Sequence, residues 1–428
     1  MAEPLFDLPA AGTRVDLPFD VADPRLAAAA WSRLAEPGDL VAGALVAQLG
    51  APGALAWVLD AVRDPARGLC GGALADLGTS VATTRLLDAV ARWAPRLERL
   101  DPRRELRVLE RLGGTLVLPE DDGWPAGLAD LDTAAPFALW VRGSGDLADL
   151  TAGSVAVVGA RASTGYGEHV AAEVSAGLVD RGAGVVSGGA YGIDAAAHRG
   201  AVAAGGPTVA VLAGGVDRLY PPGNQDLLRR IADGGGALVS EVPPGSAPYK
   251  QRFLARNRII AAVSRATVVV EAAWRSGALS TARHATDLFR PLGAVPGPVT
   301  SATSTGCHML LRDGRAVCVT DADEVLELAS AIGVRPVGAE TGGPGPRDPV
   351  LGPVAAARRA TADRAAALGD PARLVWDALP VRASAALESV SRAAGLSVRE
   401  TLAGLGVLEQ HGLAQREGAS WRRPPARR

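Results

Sequence analysis

Residues 155–167 read VAVVGARASTGYG, an unbroken apolar run that passes into a glycine-rich loop and then a helix start. A strand that is apolar on both faces belongs inside a parallel sheet. A glycine-rich turn from such a strand into a helix opens a nucleotide-binding α/β unit. Gly159, Gly165 and Gly167 permit the tight turn, and backbone N–H groups there, with the helix N-terminus, can meet an anion. A close-packed turn without a ligand needs the same glycines. Arg161 favours a ligand, because it sets a fixed charge at the carboxyl end of the strand, where open α/β sheets bind.

Downstream, apolar runs at 184–187, 208–212, 237–240, 266–271, 293–295 and near 316–319 alternate with helical patterns. That alternation predicts an α/β protein with an extended Rossmann-like, doubly wound parallel sheet of six or seven strands. The predicted domain spans 113–330, with a lead-in segment whose residues 115–118 and 137–141 look like short strands. Ahead of it, 23–112 reads as an N-terminal helical domain, with helices at 25–34, 40–49 and 54–62 broken by Gly50-Ala51-Pro52-Gly53. Such a module is either a DNA-contacting unit of the SAM or helix-hairpin-helix type or a plain α-helical cap. Its arginines at 92, 96, 99, 103 and 107 interleave with acids, as on a solvated face.

Residues 331–368, including the Gly- and Pro-rich run from Gly333, read as a flexible linker. The last segment, 369–428, holds three helices and a strand-like ending, the pattern of a winged helix. Its third helix opens at Ser397, with Glu400 completing a capping box. Arg399 is the sole basic residue between Ser397 and Gln410, so this unit serves DNA or protein contacts equally well on paper. Arg422, Arg423, Arg427 and Arg428 form a terminal basic run.

The chain has 428 residues, 48% of them hydrophobic, and a net charge of −2, so an anion must be met by a local basic cluster. Three cysteines without CxxC spacing and no basic N-terminal leader point to a reducing, cytoplasmic setting. No apolar run is read as reaching the roughly 20 residues that cross a bilayer.

The remaining chemistry lies in loops at the carboxyl ends of the strands. Ser187–His198 brings Gly188, Gly189 and Gly192, which permit close backbone approach, together with Tyr191. After strand 237–240 come Lys250, the chain's single lysine, and Arg252, leading into ARNRII, where Arg256 and Arg258 flank Asn257. This stretch is read as a helix start, where guanidinium groups and helix dipole would jointly attract phosphate. Alternatively, the glycines serve packing and either arginine pairs with Glu241 or Glu271. No GxSxG elbow appears, the histidines lack metal-ligand spacing, and the first loop lacks GxGxxG. Catalysis, metal and cofactor are therefore not expected.

Several strings, in order, resemble the bacterial DNA-processing protein A (DprA/Smf) family: VAVVGAR, VVSGGAYGIDAAAH, VAVLAGGVDRLYPPGN, ALVSEVPPG, ARNRIIAAVS, VVVEAAWRSGALSTARHA, AVPGPV and STGCHMLLRDG. The resemblance covers nearly the whole chain and is most specific between 154 and 320. It implies an extended Rossmann fold that binds single-stranded DNA without sequence preference, dimerises, and loads the RecA recombinase in natural transformation, without catalysis. By position, Arg161 resembles the family's phosphate-contacting strand-end arginine, and Arg256, Asn257 and Arg258 resemble its RNR element. Gly188, Gly189 and Gly192 would then admit the nucleic-acid backbone, with Lys250 as a further cation. Two departures stand out. Tyr191 replaces a common arginine and can stack on a base, and Leu254 stands where the family often has proline; Lys250 and Arg252 can compensate electrostatically. Tyr249 and Phe253 are further candidate aromatics. The alternative reading is a Rossmann-type enzyme hydrolysing nucleoside monophosphates, with Glu271 as its acid. A third is an interaction scaffold with an empty pocket.

Overall fold

The structure, a computed structural model, describes residues 16–64, 83–143, 146–330, 368, 370–379, 384–418 and 420–424. The chain divides into two compact units, one ending at Arg335 and one starting at Pro336. The run from Gly333 expected as a linker lies outside the described residues, as do Arg427 and Arg428.

The first unit begins with helices α1 (Pro24–Leu34), α2 (Leu40–Arg63), α3 (Thr83–Leu97) and α4 (Pro102–Arg111), then strands β1 (Gly114–Val117) and β2 (Leu139–Gly143). After α5 (Leu147–Thr151) comes the alternation β3 (Val155–Val158), α6 (Gly165–Asp180), β4 (Val185–Ser187), α7 (Ile193–Ala203), β5 (Thr208–Leu212) and α8 (Gln225–Asp233). It continues through β6 (Ala237–Ser240), α9 (Lys250–Val263), β7 (Ala266–Val269), α10 (Ala278–Asp287), β8 (Leu292–Ala294), α11 (Thr305–Arg312), β9 (Val317–Cys318) and α12 (Ala322–Ala329).

Among the described residues, nine strands form one sheet in the order β1-β2-β6-β5-β4-β3-β7-β8-β9. β3 to β9 run parallel, as expected. The sheet is nonetheless mixed. The lead-in strands join its edge, β2 pairing antiparallel with β6 and β1 with β2, so Trp140 lies opposite Ser240. β2 covers an edge that would otherwise present unpaired backbone groups. Strand alternation sends Val155 and Val157 to one face, against Val174, Leu178 and Ile193, while Ala156 and Val158 meet Ile259, Ile260 and Ala282 on the other. From β3 the chain builds β4, β5 and β6 on one side, then returns to place β7, β8 and β9 on the other. The order therefore reverses between β3 and β7, the place where such sheets open a crevice.

In the helical region, Asp23 caps α1 through the N–H groups of Arg25 and Leu26, and Trp31 meets Trp93 edge-on at 5.2 Å. The two helices expected at 40–49 and 54–62 are one element, α2, kinked at Gly50 (φ 69°). Pro52 causes no break because it sits in the first turn after the kink, where its N–H is not needed. At 24 residues α2 is long and apolar enough to cross a bilayer by length and composition, which corrects the expectation that no such run exists. It is interrupted by the kink, and Ala42, Leu45, Leu55 and Val58 are buried in the cluster around Trp31.

The second unit holds α13 (Asp370–Ala378), β10 (Ala385–Ala386), α14 (Leu387–Ala394), α15 (Val398–Gln410), β11 (Gln415–Glu417) and β12 (Ser420–Arg422). Among the described residues its strands form an antiparallel sheet ordered β10-β12-β11 around a core with Val375, Trp376, Leu405, Leu408 and Trp421. The capping box of Ser397 and Glu400 is formed. Arg423 of the basic tail donates to the Trp376 carbonyl and lies 4.3 Å over that ring.

Candidate functional site: a cationic cleft where the strand order reverses

Beyond β3, residues 159–162 run over the carboxyl edge of the sheet; beyond β7, residues 273–277 do the same; the first half of α9 crosses between them. Together they enclose a cleft of about 830 Å³, within the size range of ligand pockets. Arg161, Lys250 and Arg275 line it and are exposed. Among the described residues none of the three has a carboxylate at ion-pair distance. The Arg161 guanidinium lies 4.5 Å over the Phe253 ring, a cation–π contact that holds it at the cleft wall. Phe253 in turn packs against Tyr220 at 6.0 Å.

The loop that presents Arg161 is fixed by local bonds. The Ala160 N–H donates to the Glu271 carbonyl at 2.7 Å, and the Ile193 N–H donates to the Ala160 carbonyl at 3.2 Å. Buried Glu271 accepts from the Thr164 N–H at 2.9 Å, the Thr164 hydroxyl at 2.6 Å and the Thr303 hydroxyl at 3.2 Å. Its carboxylate thus ties the loop after β3 to the segment before α11.

The RNR element requires a correction. Helix α9 starts at Lys250, so Arg256, Asn257 and Arg258 lie in mid-helix, not at a helix start. The prolines at 243, 244 and 248 end the preceding loop, and no helix breaker stands between Lys250 and Val263. The dipole therefore favours anions near Lys250 and does nothing for the arginines. Arg256 is buried and donates to the Gly188 carbonyl at 2.7 Å and to the Val211 carbonyl. Burial pushes its pKa down to about 10, with Asp194 acting the other way, so it stays charged at neutral pH. Asp194 itself is pushed up by burial, opposed by Arg256. Arg258 makes a buried bidentate pair with Glu241 at 2.6 and 2.8 Å and donates to the Ala134 carbonyl at 2.9 Å. Of the two readings the sequence left open for Arg258, pairing with Glu241 is the one the structure displays. Asn257 lines the cleft, and its Nδ2 donates to the Gly277 carbonyl at 3.2 Å.

Arg252 is turned to Glu36, at the end of α1, with Nε at 3.0 Å. Burial works to raise the Glu36 pKa, but hydrogen bonds from Arg252 and Tyr249 and the charges of Arg252 and Arg96 hold it below the usual carboxylate value.

The glycines have protein neighbours. A Cβ on Gly188 would stand 2.5 Å from the Arg256 guanidinium and 2.6 Å from the Asp194 carboxylate. Gly192 (φ 77°) brings its backbone against the Ala160 carbonyl, 2.3 Å from where a Cβ would be, and Gly189 (φ 65°) packs near Leu228. Tyr191 is half-exposed and its hydroxyl accepts from the Gly223 N–H at 3.1 Å. Leu254 lies within α9 and lines the cleft. Sequence reasoning missed Tyr220, Thr281 and Arg275. Arg275 carries the same signal as Arg161, a cation just past the carboxyl end of a central strand.

This fold defines an α/β protein of the Rossmann type with a cationic crevice where its strand order reverses. Residues 115–330 match the family described as DNA recombination-mediator protein A. The chain is 43% identical over 408 residues to a Mycobacterium tuberculosis protein assigned as DNA processing protein DprA, covering 92% of this chain and 94% of that one. It is 41% identical to DNA processing protein DprA of Streptococcus pneumoniae over 206 residues, 48% of this chain and 71% of the relative. The X-ray structure of the Streptococcus pneumoniae protein superposes with a TM-score of 0.54 at 29% identity, covering 72% of this chain and 98% of that one. The chain belongs to the DNA-processing protein A (DprA/Smf) family.

Proposed function

We propose that the chain binds single-stranded DNA without sequence preference in the cleft between β3 and β7. The observation that carries this is that Arg161, Lys250 and Arg275 line one cleft with Phe253: three cations that, among the described residues, have no carboxylate partner, and an aromatic ring with Arg161 over it. Single-strand binders combine such a positive groove with rings on which bases stack, and both parts tolerate any sequence. Relatives named for DNA processing support the reading. On the family resemblance we further propose that the protein works in the cytoplasm on incoming DNA during natural transformation, acts as a homodimer, and passes the strand to RecA recombinase. We read the second unit as a winged helix that contacts DNA or protein, and we assign no catalysis to the chain. Glu271, the acid that nucleoside-monophosphate hydrolysis would need, is turned to Thr164 and Thr303.

A salt titration of binding to single-stranded and duplex oligonucleotides, native against Arg161→Ala, tests the proposal. The expected result is single-strand preference with a salt slope that shrinks by about 0.7 in the variant. Absence of binding by the native protein at low salt would refute it.

A further inference from the structure

One wall of the cleft carries a polar group that the fold leaves unused. Thr281 is 2% exposed and lines the cleft. Among the described residues its hydroxyl has no hydrogen-bond partner. A helical threonine commonly returns its hydroxyl to the carbonyl four residues back, and Thr286 in the same helix does so, donating to the Ala282 carbonyl at 3.0 Å. For Thr281 that carbonyl belongs to Gly277, which already accepts from Asn257 Nδ2 at 3.2 Å and from the Ser280 N–H at 3.0 Å. The Asn257 amide occupies the acceptor that Thr281 would use, and the hydroxyl is left for the cleft.

Two neighbouring features have the same chemical preference. Thr281 lies in the first turn of α10, whose dipole sets its positive end toward the same space, while the Ala278, Leu279 and Ser280 N–H groups are already taken by Ser276 Oγ and by the Ser276 and Gly277 carbonyls. Arg275, three residues before the helix, is exposed, lines the cleft and has no carboxylate partner among the described residues. A guanidinium, a hydroxyl donor and a helix start on one wall match a phosphate.

We propose that this wall is a second phosphate subsite: Arg275 and Thr281 hold one phosphate of the strand, while Arg161 and Lys250, across the cleft, hold its neighbour. Asn257 is a positioning residue, since it fixes the Gly277 turn and keeps the Thr281 hydroxyl free. The inference rests on the single-strand reading and deepens it, because two phosphate holds fix the path of the strand through the cleft.

The test titrates oligothymidylate against salt with the native chain, Arg275→Gln, Thr281→Val, Thr281→Ser and Arg161→Ala. Arg275→Gln is expected to lower the salt slope by about 0.7, one phosphate contact on a single strand. Thr281→Val is expected to weaken binding about tenfold at fixed salt with the slope unchanged, because a neutral donor is lost, and Thr281→Ser to restore it. If Arg275→Gln and Thr281→Val bind like the native chain while Arg161→Ala is weakened, the subsite is refuted and the single-strand reading stands. If the native chain binds no oligothymidylate at low salt, both fall. Should Thr281→Val fail to fold, Arg275→Gln, at an exposed position, decides alone.

Discussion

The start and the middle of helix α9 both carry basic residues and use them in opposite ways. At the start Lys250 stands exposed at the cleft, near the positive end of the helix. At mid-helix Arg256 and Arg258 are buried, their guanidinium groups taken up by the Gly188 and Val211 carbonyls and by Glu241. Withdrawing Arg258 toward a ligand would strand Glu241 as an unpaired buried charge, which is far costlier than losing a solvated contact. The same helix therefore supplies the frame of the cleft from its middle, where Arg256 and Asn257 line it, and an exposed cation from its start. Arg252 falls between them, paired with a partly exposed Glu36 that ties the first helical region to the cleft wall.

Arg258→Ala is expected to have the largest effect on stability, about 3–5 kcal/mol, because it leaves Glu241 buried without its partner. Urea unfolding would read the loss. A variant of native stability that no longer bound DNA would move Arg258 to the ligand side and break the comparison. Gly188→Ala comes next, at about 1–3 kcal/mol, since the new methyl would collide with the Arg256 guanidinium and the Asp194 carboxylate; a thermal melt measures it. Glu36→Gln sharpens the middle case. Because the folded Glu36 pKa lies below its ordinary 4.5, its contribution is present above pH 4.5 and fades as pH falls through the folded value. The native protein should therefore lose stability in acid more steeply than Glu36→Gln, with the two curves converging at low pH; parallel curves would deny the ion pair a role. Smallest is Arg161→Ala, within about 0.5 kcal/mol of native stability, because its side chain is exposed.

Much of the frame is legible in the sequence. The apolar run at 155–158, the alternation after it and the capping box at Ser397 and Glu400 are local patterns, set by periodicity and turn chemistry within a few residues. Arg161 belongs with them, because a cation at the end of a central strand lies at the sheet's binding edge however the helices pack. The start of α9 is not legible in the RNR string itself: the helix begins six residues before it, at Lys250, two residues after Pro248. What tertiary structure alone decided is which polar groups are spent and which are free. Arg258 meets Glu241 across 17 positions, and Thr281 is freed because Asn257, 24 positions earlier, occupies the Gly277 carbonyl. Whether a charge or hydroxyl inside a protein is already satisfied depends on long-range packing, since a buried polar group takes its partner from whichever element is folded against it.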